Sequence, residues 1–219
     1  MKAIVLLSGG LDSAVNLAWA CREGEAVLAL TFAYGQRAAE REKEAARRLA
    51  AFYGVPWQVV ELPFLAEITR TALVNREKEV PVPAELSGEE AERTARAVWV
   101  PNRNGLFINI AAAFAESLGA DAIVVGFNRE EGTTFPDNTP EFMEACNRAL
   151  AFSTLNRPRV VSYTVAMDKA QIGMAARRLR VPLQMVWSCY HGGEEQCGRC
   201  ESCQRLKRAL AAVEQEGEG

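Results

Sequence analysis

The sequence has 219 residues, 49% hydrophobic and 24% charged, with 25 basic and 28 acidic residues for a net charge of −3. This is ordinary globular usage, long enough for one core domain and a small appendage without a disulfide framework, and it excludes collagen-like and disordered chains. The acidic balance argues against a nucleic-acid partner, which needs a basic excess on one face, and no apolar run approaches the roughly 18 residues of a membrane span.

Residues 2–7 read as a buried strand ended by Ser8-Gly9-Gly10, a pattern unlike a signal-peptide cleavage site. A helix is predicted over 12–22, stopped by Gly24, then a strand over 26–32. Residues 37–53, rich in Ala, Glu, Arg and Lys, predict a second helix, with Gly54 and Pro56 as its stop signals. Residues 57–62 read as a third strand. This order predicts parallel strands joined by right-handed crossovers.

Residues 63–98 break the rhythm with three prolines and a charged stretch, and read as a partly helical insertion. Asn104 is expected to cap a helix over 105–118. A buried strand over 122–126, a loop over 128–139, a helix over 140–151 and a strand over 160–165 follow. Asp168-Lys169-Ala170-Gln171 fits a capping box that opens a helix ending near Arg180. Residues 181–187 read as extended, 204–213 as a short basic helix, and 214–219 as a frayed acidic tail. The expected organisation is an α/β domain over 1–187, a doubly wound, mostly parallel sheet with helices on both faces. A small segment over 188–219 completes it.

Two stretches carry chemistry. Ser8-Gly9-Gly10-Leu11-Asp12-Ser13 lies between a buried strand and a helix start, where α/β sheets bind ligands. Glycines let the backbone approach an anion, and the helix N-terminus and two hydroxyls supply donors. The loop is neither a Walker loop nor a dinucleotide fingerprint. Asp12 beside phosphates requires an intervening cation, which points to magnesium. Its bland alternative is a plain Gly-rich turn with Asp12 as a helix cap.

The second stretch is Cys189, Cys197, Cys200 and Cys203, four of the six cysteines. Their spacing suits a closed tetrahedral thiolate site for structural zinc. An iron–sulfur cluster and a redox pair are the rivals, and His191, the only histidine, is a substitute ligand. Cys21 and Cys146 lie in helical patterns and read as buried structural thiols. Three polar stretches, 34–37, 100–104 and 128–138, follow predicted strands or open helices. Each alone reads as a solvated loop; together they converge on the sheet edge that carries the phosphate loop.

Ser-Gly-Gly-x-Asp-Ser resembles the pyrophosphate loop of the N-type ATP pyrophosphatases. With Tyr34 to Arg37, Val100 to Asn104, Phe135-Pro136-Asp137, Asp168 to Gln171 and the cysteine spacing, the chain resembles the QueC family nearly end to end. It departs from that family's usual pattern at Asn102, Glu131, Phe135 and Asn138.

The resemblance implies an ATP-dependent carbon–nitrogen ligase. It would convert 7-carboxy-7-deazaguanine and ammonia to 7-cyano-7-deazaguanine by adenylation, amide formation and dehydration, in queuosine biosynthesis. Another adenylating enzyme of the same fold, such as a tRNA-modifying ligase or thiolase, is the alternative. Ser8, Gly9, Gly10, Leu11, Asp12 and Ser13 would bind ATP, with magnesium near Asp12. Asp12, Lys169 and Arg103 would be catalytic, although Lys169 also reads as a solvated surface lysine. Tyr34, Gln36, Arg103, Asn104, Glu131 and Asp137 would contact the substrate. The resemblance further implies a cytoplasmic homodimer that uses free ammonium.

Overall fold

A computed structural model describes residues 1–86 and 88–215. The strands are β1 (Lys2–Leu6), β2 (Glu25–Ala33), β3 (Trp57–Glu61), β4 (Ala122–Val124) and β5 (Arg159–Val161). They form one sheet in the order β3-β2-β1-β4-β5, every pair parallel. Chain order therefore reverses between β1 and β4. A reversal of this kind leaves a crevice outside the carboxyl ends of the strands, because the crossovers on its two sides depart to opposite faces.

The side-chain period of two divides the core. Ala3 and Val5 of β1 face a cluster with Leu49, Ile172 and Ala176, while Ile4 faces the other side with Ile108, Ala112 and Leu150. The first face is covered by α1 (Leu11–Glu23), α2 (Ala39–Phe52) and α8 (Lys169–Arg178). The second is covered by α5 (Arg103–Leu118) and α7 (Pro140–Ser153). No helix among the described residues is long and apolar enough to cross a membrane.

The insertion carries α3 (Pro63–Ile68) and α4 (Gly88–Val98). Its Leu65, Leu73 and Val98 join the second core cluster. Arg37 stitches it to the end of β2, its Nε donating to the Ala72 carbonyl at 2.7 Å and its Nη2 to the Asn75 carbonyl at 2.7 Å.

Several local expectations change. Asn104 does not cap α5. The cap is Asn102, in the left-handed region at φ 50°, and Asn104 lies inside the first turn with its amide donating to the Asp137 carbonyl at 3.2 Å. The strands predicted over 122–126 and 160–165 shorten to β4 and β5, since pairing ends where the chain turns into the crevice. The loop over 128–138 contains α6 (Arg129–Gly132) and a 3-10 turn, Pro136–Asn138. Residues 181–187, read as extended, contain the 3-10 turn Leu183–Met185. The last helix, α9, spans Glu201–Gln215 and so begins inside the cysteine segment. Cys21 and Cys146, expected buried, are half-buried. The tail expected over 214–219 lies outside the described residues from 216 onward.

Gly173 lets α8 approach α9 closely. A Cβ there would lie 2.2 Å from the Ala209 carbonyl oxygen, a backbone atom that cannot swing aside. Gly173→Ala is expected to cost about 2 kcal/mol through overpacking. Thermal unfolding should show a midpoint lowered by roughly 5 °C; an unchanged midpoint would contradict the close approach.

Candidate active site

β1 delivers the loop Ser8–Ser13 to the crevice. Gly9 sits at φ 82°, and a Cβ on it would meet Ala45 Cβ at 2.8 Å and the Glu42 carbonyl at 2.9 Å, so only glycine fits. Trp187 donates its amide to the Gly9 carbonyl at 2.9 Å. Helix α1 then starts with Gly10 as its N-cap and no side-chain cap. The amides of Leu11, Asp12 and Ser13 lie in the first turn, which has no intrahelical acceptors, and all three residues line the cavity. The Ser8 and Ser13 hydroxyls are 3.2 Å apart at its wall. A Cβ at Gly126 would fall 2.9 Å from the Ser13 amide nitrogen, so the end of β4 closes tightly on the loop.

Lys169 opens α8 behind a complete capping box between Asp168 and Gln171. Its side chain is only 7% exposed and reaches two carboxylates, Asp12 Oδ2 at 2.5 Å and Glu131 Oε1 at 2.8 Å. Asn128, fully buried, caps α6 by accepting the Glu131 amide and donates its own amide to Asp12 Oδ2 at 3.3 Å. Asp12 Oδ1 is buried without a hydrogen-bond partner.

One lysine serves two acids, and they respond differently. Burial opposes ionisation of both; beside Lys169, and with the Asn128 contact, Glu131 is nonetheless held down to about 2, whereas Asp12 stays above its ordinary value, burial outweighing the lysine. Lys169 is held protonated: burial works against its charge, and the two carboxylates overcome that.

A second polar pole lies across the same cavity. Arg103, at the start of α5, donates to the Tyr34 hydroxyl at 3.1 Å and stacks over that ring with its guanidinium carbon 5.9 Å from the centroid. Asp137 is buried there, its carboxyl raised by burial against the pull of Arg103. Aromatic rings line the wall between the poles: Phe107 stacks on Phe32 at 4.0 Å, and Trp99 lies nearly parallel to Phe135 at 6.1 Å and 11°.

The four cysteine sulfurs lie within 4.8 Å of one another. Cys197 and Cys203 Sγ are 3.9 Å apart, close to the roughly 3.8 Å separation of sulfurs on a tetrahedral zinc with 2.3 Å bonds. Backbone amides of His191 and Cys197 donate to Cys189 Sγ, and those of Arg199 and Cys200 to Cys197 Sγ, each at 3.4 Å. Four converging sulfurs with amide donors fit a metal ion.

The structure therefore brings Ser8, Gly10, Leu11, Asp12, Ser13, Tyr34, Arg103, Asn104, Glu131, Asp137 and Lys169 to one cavity. It does not bring Gln36 there. That side chain is 2% exposed, accepts the Tyr34 amide at 2.8 Å and donates to the Phe32 carbonyl and Glu42, so it shapes the turn after β2. Gly9 supports the loop from below. Asn128 falls within the polar stretch 128–138 expected at this edge but is not singled out there, and Glu42, Trp99, Phe107, Tyr190 and Arg205 have no expected role at this cavity. Asn128 carried a signal, a helix-capping residue three positions before an acid; the others are brought in by tertiary packing.

Lys169→Met leaves two half-buried carboxylates without a cation and is expected to lower unfolding free energy by about 2–3 kcal/mol at pH 7.5. The stabilising share of Glu131 in the wild type is fully present above its ordinary 4.5 and is lost as pH falls toward about 2. In the variant both acids bind protons more readily, so its deficit should shrink between pH 7.5 and pH 5. Urea unfolding at the two pH values measures this; an equal deficit at both would contradict the triad.

The family model described as queuosine biosynthesis protein QueC matches residues 2–214. The chain is 57% identical over 212 residues to the 7-cyano-7-deazaguanine synthase of Pelotomaculum thermopropionicum, spanning 95% of this chain and 96% of that one. It is 54% identical over 209 residues to the synthase of Carboxydothermus hydrogenoformans, spanning 95% and 97%. Among solved structures, the fold is similar to that of a 4-thiouridine synthetase in complex with RNA and bound ATP. The TM-score is 0.53 at 22% identity, across 98% of this chain and 52% of that one. A doubly wound sheet, a Gly-rich loop at its switch point and a match across nearly every residue lead to one assignment: the chain belongs to the QueC family of queuosine biosynthesis proteins.

Proposed function

We propose that the protein is an ATP-dependent carbon–nitrogen ligase that converts 7-carboxy-7-deazaguanine and ammonia to 7-cyano-7-deazaguanine. The observation that carries this reading is the joining of two poles in one cavity: an anion-binding loop with a buried lysine, and a cationic, aromatic-walled pole suited to a planar heterocycle. The near-full-length likeness to synthases at 57% identity favours it over the RNA-modifying alternative.

A carboxylate is a poor electrophile, so one of its oxygens first attacks the α-phosphorus of ATP and pyrophosphate leaves. Ammonia then displaces AMP to give the amide. Activation of the amide oxygen by a second ATP, with loss of a proton, allows elimination of AMP and a further proton to the nitrile. Throughout, the chain's task is orientation and charge stabilisation. The first-turn amides of α1 and the hydroxyls of Ser8 and Ser13 bind the departing pyrophosphate. Lys169 balances the negative charge that gathers there. Arg103 orients the substrate carboxylate by paired hydrogen bonds, and the Trp99–Phe135 wall bounds the ring. Tyr34, Asn104 and Asp137 shape the pole that holds the base.

Asp12 Oδ1, buried and unpartnered, is the oxygen that suits magnesium accompanying ATP. Magnesium would neutralise phosphate oxygens. Cys189, Cys197, Cys200 and Cys203 would hold one structural zinc. Small charged substrates suit a cytoplasmic enzyme, and the homodimer remains part of the reading through family resemblance.

Incubation with ATP, ammonium and the carboxy compound should yield the nitrile, detected by mass spectrometry. Asp12→Ala should cut its formation by at least about 100-fold while metal content stays at one ion per chain. Nitrile formed at the wild-type rate by that variant would overturn the role given to Asp12. Metal analysis should find zinc, and Cys200→Ser should lose it together with thermal stability; a metal-free wild-type protein of equal stability would contradict the zinc assignment.

A further inference from the structure

Lys169 reaches the phosphate loop from the first residue of α8, so its place depends on what fixes that helix end. Glu130 does so from the neighbouring loop. Its Oε1 accepts the Lys169 backbone amide at 2.9 Å. Its Oε2 accepts Arg205 Nη1 at 2.7 Å and Arg208 Nη2 at 2.5 Å, both from α9. Arg205 is 4% exposed, and its other edge holds Glu201 Oε1 at 2.7 and 3.1 Å, with Glu201 itself 2% exposed. A carboxylate with three donors from two helices has little freedom, and a buried guanidinium held on both edges has less. Glu130 also sits beside Glu131, the acid that grips the Lys169 ammonium. Nothing in the proposed reaction uses Glu130 directly.

We propose that Glu130 is a positioning residue that ties the backbone of Lys169 to the buried Arg205 of α9, so that the helix carrying the last of the four cysteines sets where the lysine ammonium meets the phosphates. This inference rests on the function proposed above. It assigns α9 a part in the geometry of the nucleotide site, through Glu130, which does not line the cavity, and Arg205, which does.

The loss of a side chain that positions a reacting group by about 1 Å is worth on the order of 100-fold in rate. Glu130→Ala removes both the acceptor for the Lys169 amide and the partner of the two arginines. Glu130→Gln keeps the acceptor and loses the charge. Two measurements on the full-length, metal-loaded protein test the tether. The first is hydrogen exchange of the peptide containing the Lys169 amide, which does not depend on activity. It should quicken in Glu130→Ala and change less in Glu130→Gln. The second is ATP–pyrophosphate exchange driven by the carboxy compound. There kcat should fall about 100-fold in Glu130→Ala and about tenfold in Glu130→Gln, with the KM for ATP within threefold of wild type.

Unchanged amide exchange in Glu130→Ala overturns the tether. So does a kcat within twofold of wild type, or a loss that tracks the unfolded fraction or the metal content. A wild-type protein without ATP–pyrophosphate exchange would count against the function reading instead, and the amide exchange would still decide whether the tether exists.

Discussion

The ion triad of Lys169, Asp12 and Glu131 is the constraint on which the site depends. Its members come from α8, α1 and α6, elements far apart in sequence, and they meet only because chain order reverses between β1 and β4. Removing three charges from water costs several kcal/mol per ion, and mutual attraction offsets this only where the geometry is fixed. The surrounding polar contacts fix it: the capping box at the start of α8, the Asn128 cap of α6 and the close packing of Gly126 on Ser13. Much of the local structure near the crevice holds one ammonium beside one row of backbone amides.

The arrangement also bears on how the site can receive a nucleotide. Two acids share one lysine, and burial keeps Asp12 above its ordinary value against the pull of Lys169 and Arg205. In the function proposed for this site, phosphate oxygens would compete for the lysine and leave an Asp12 oxygen to a cation. Electrostatic strain of this kind is concentrated where function needs it, while the two cores on either face of the sheet are apolar and closely packed.

The parts legible in the sequence are local. Ser8–Ser13 between strand and helix, the capping box at Asp168 and the Cys-x-x-Cys spacings each depend on residues a few positions apart, and turn chemistry and cap chemistry act at that range. Asn104 misled because Asn102 lies two residues earlier and adopts the left-handed conformation, leaving Asn104 free to bond the Asp137 carbonyl. The contact role of Gln36 comes from family resemblance alone, and no local pattern shows that the turn after β2 folds its amide inward onto the Tyr34 amide and the Phe32 carbonyl. The link of Glu130 to Arg205 spans 75 positions, and no spacing rule reaches that far. Trp99 and Phe135 likewise become neighbours only when the insertion closes on the loop.

The central claim is that the loop after β1 holds pyrophosphate as the leaving group, so that a carboxylate oxygen attacks the α-phosphorus. Carboxy substrate labelled with oxygen-18 in both carboxyl oxygens tests it most directly. The account predicts that the label lost from the substrate appears in AMP, with none in pyrophosphate. Label recovered in inorganic phosphate, with ADP as the nucleotide product, would place the attack at the γ-phosphorus and contradict it.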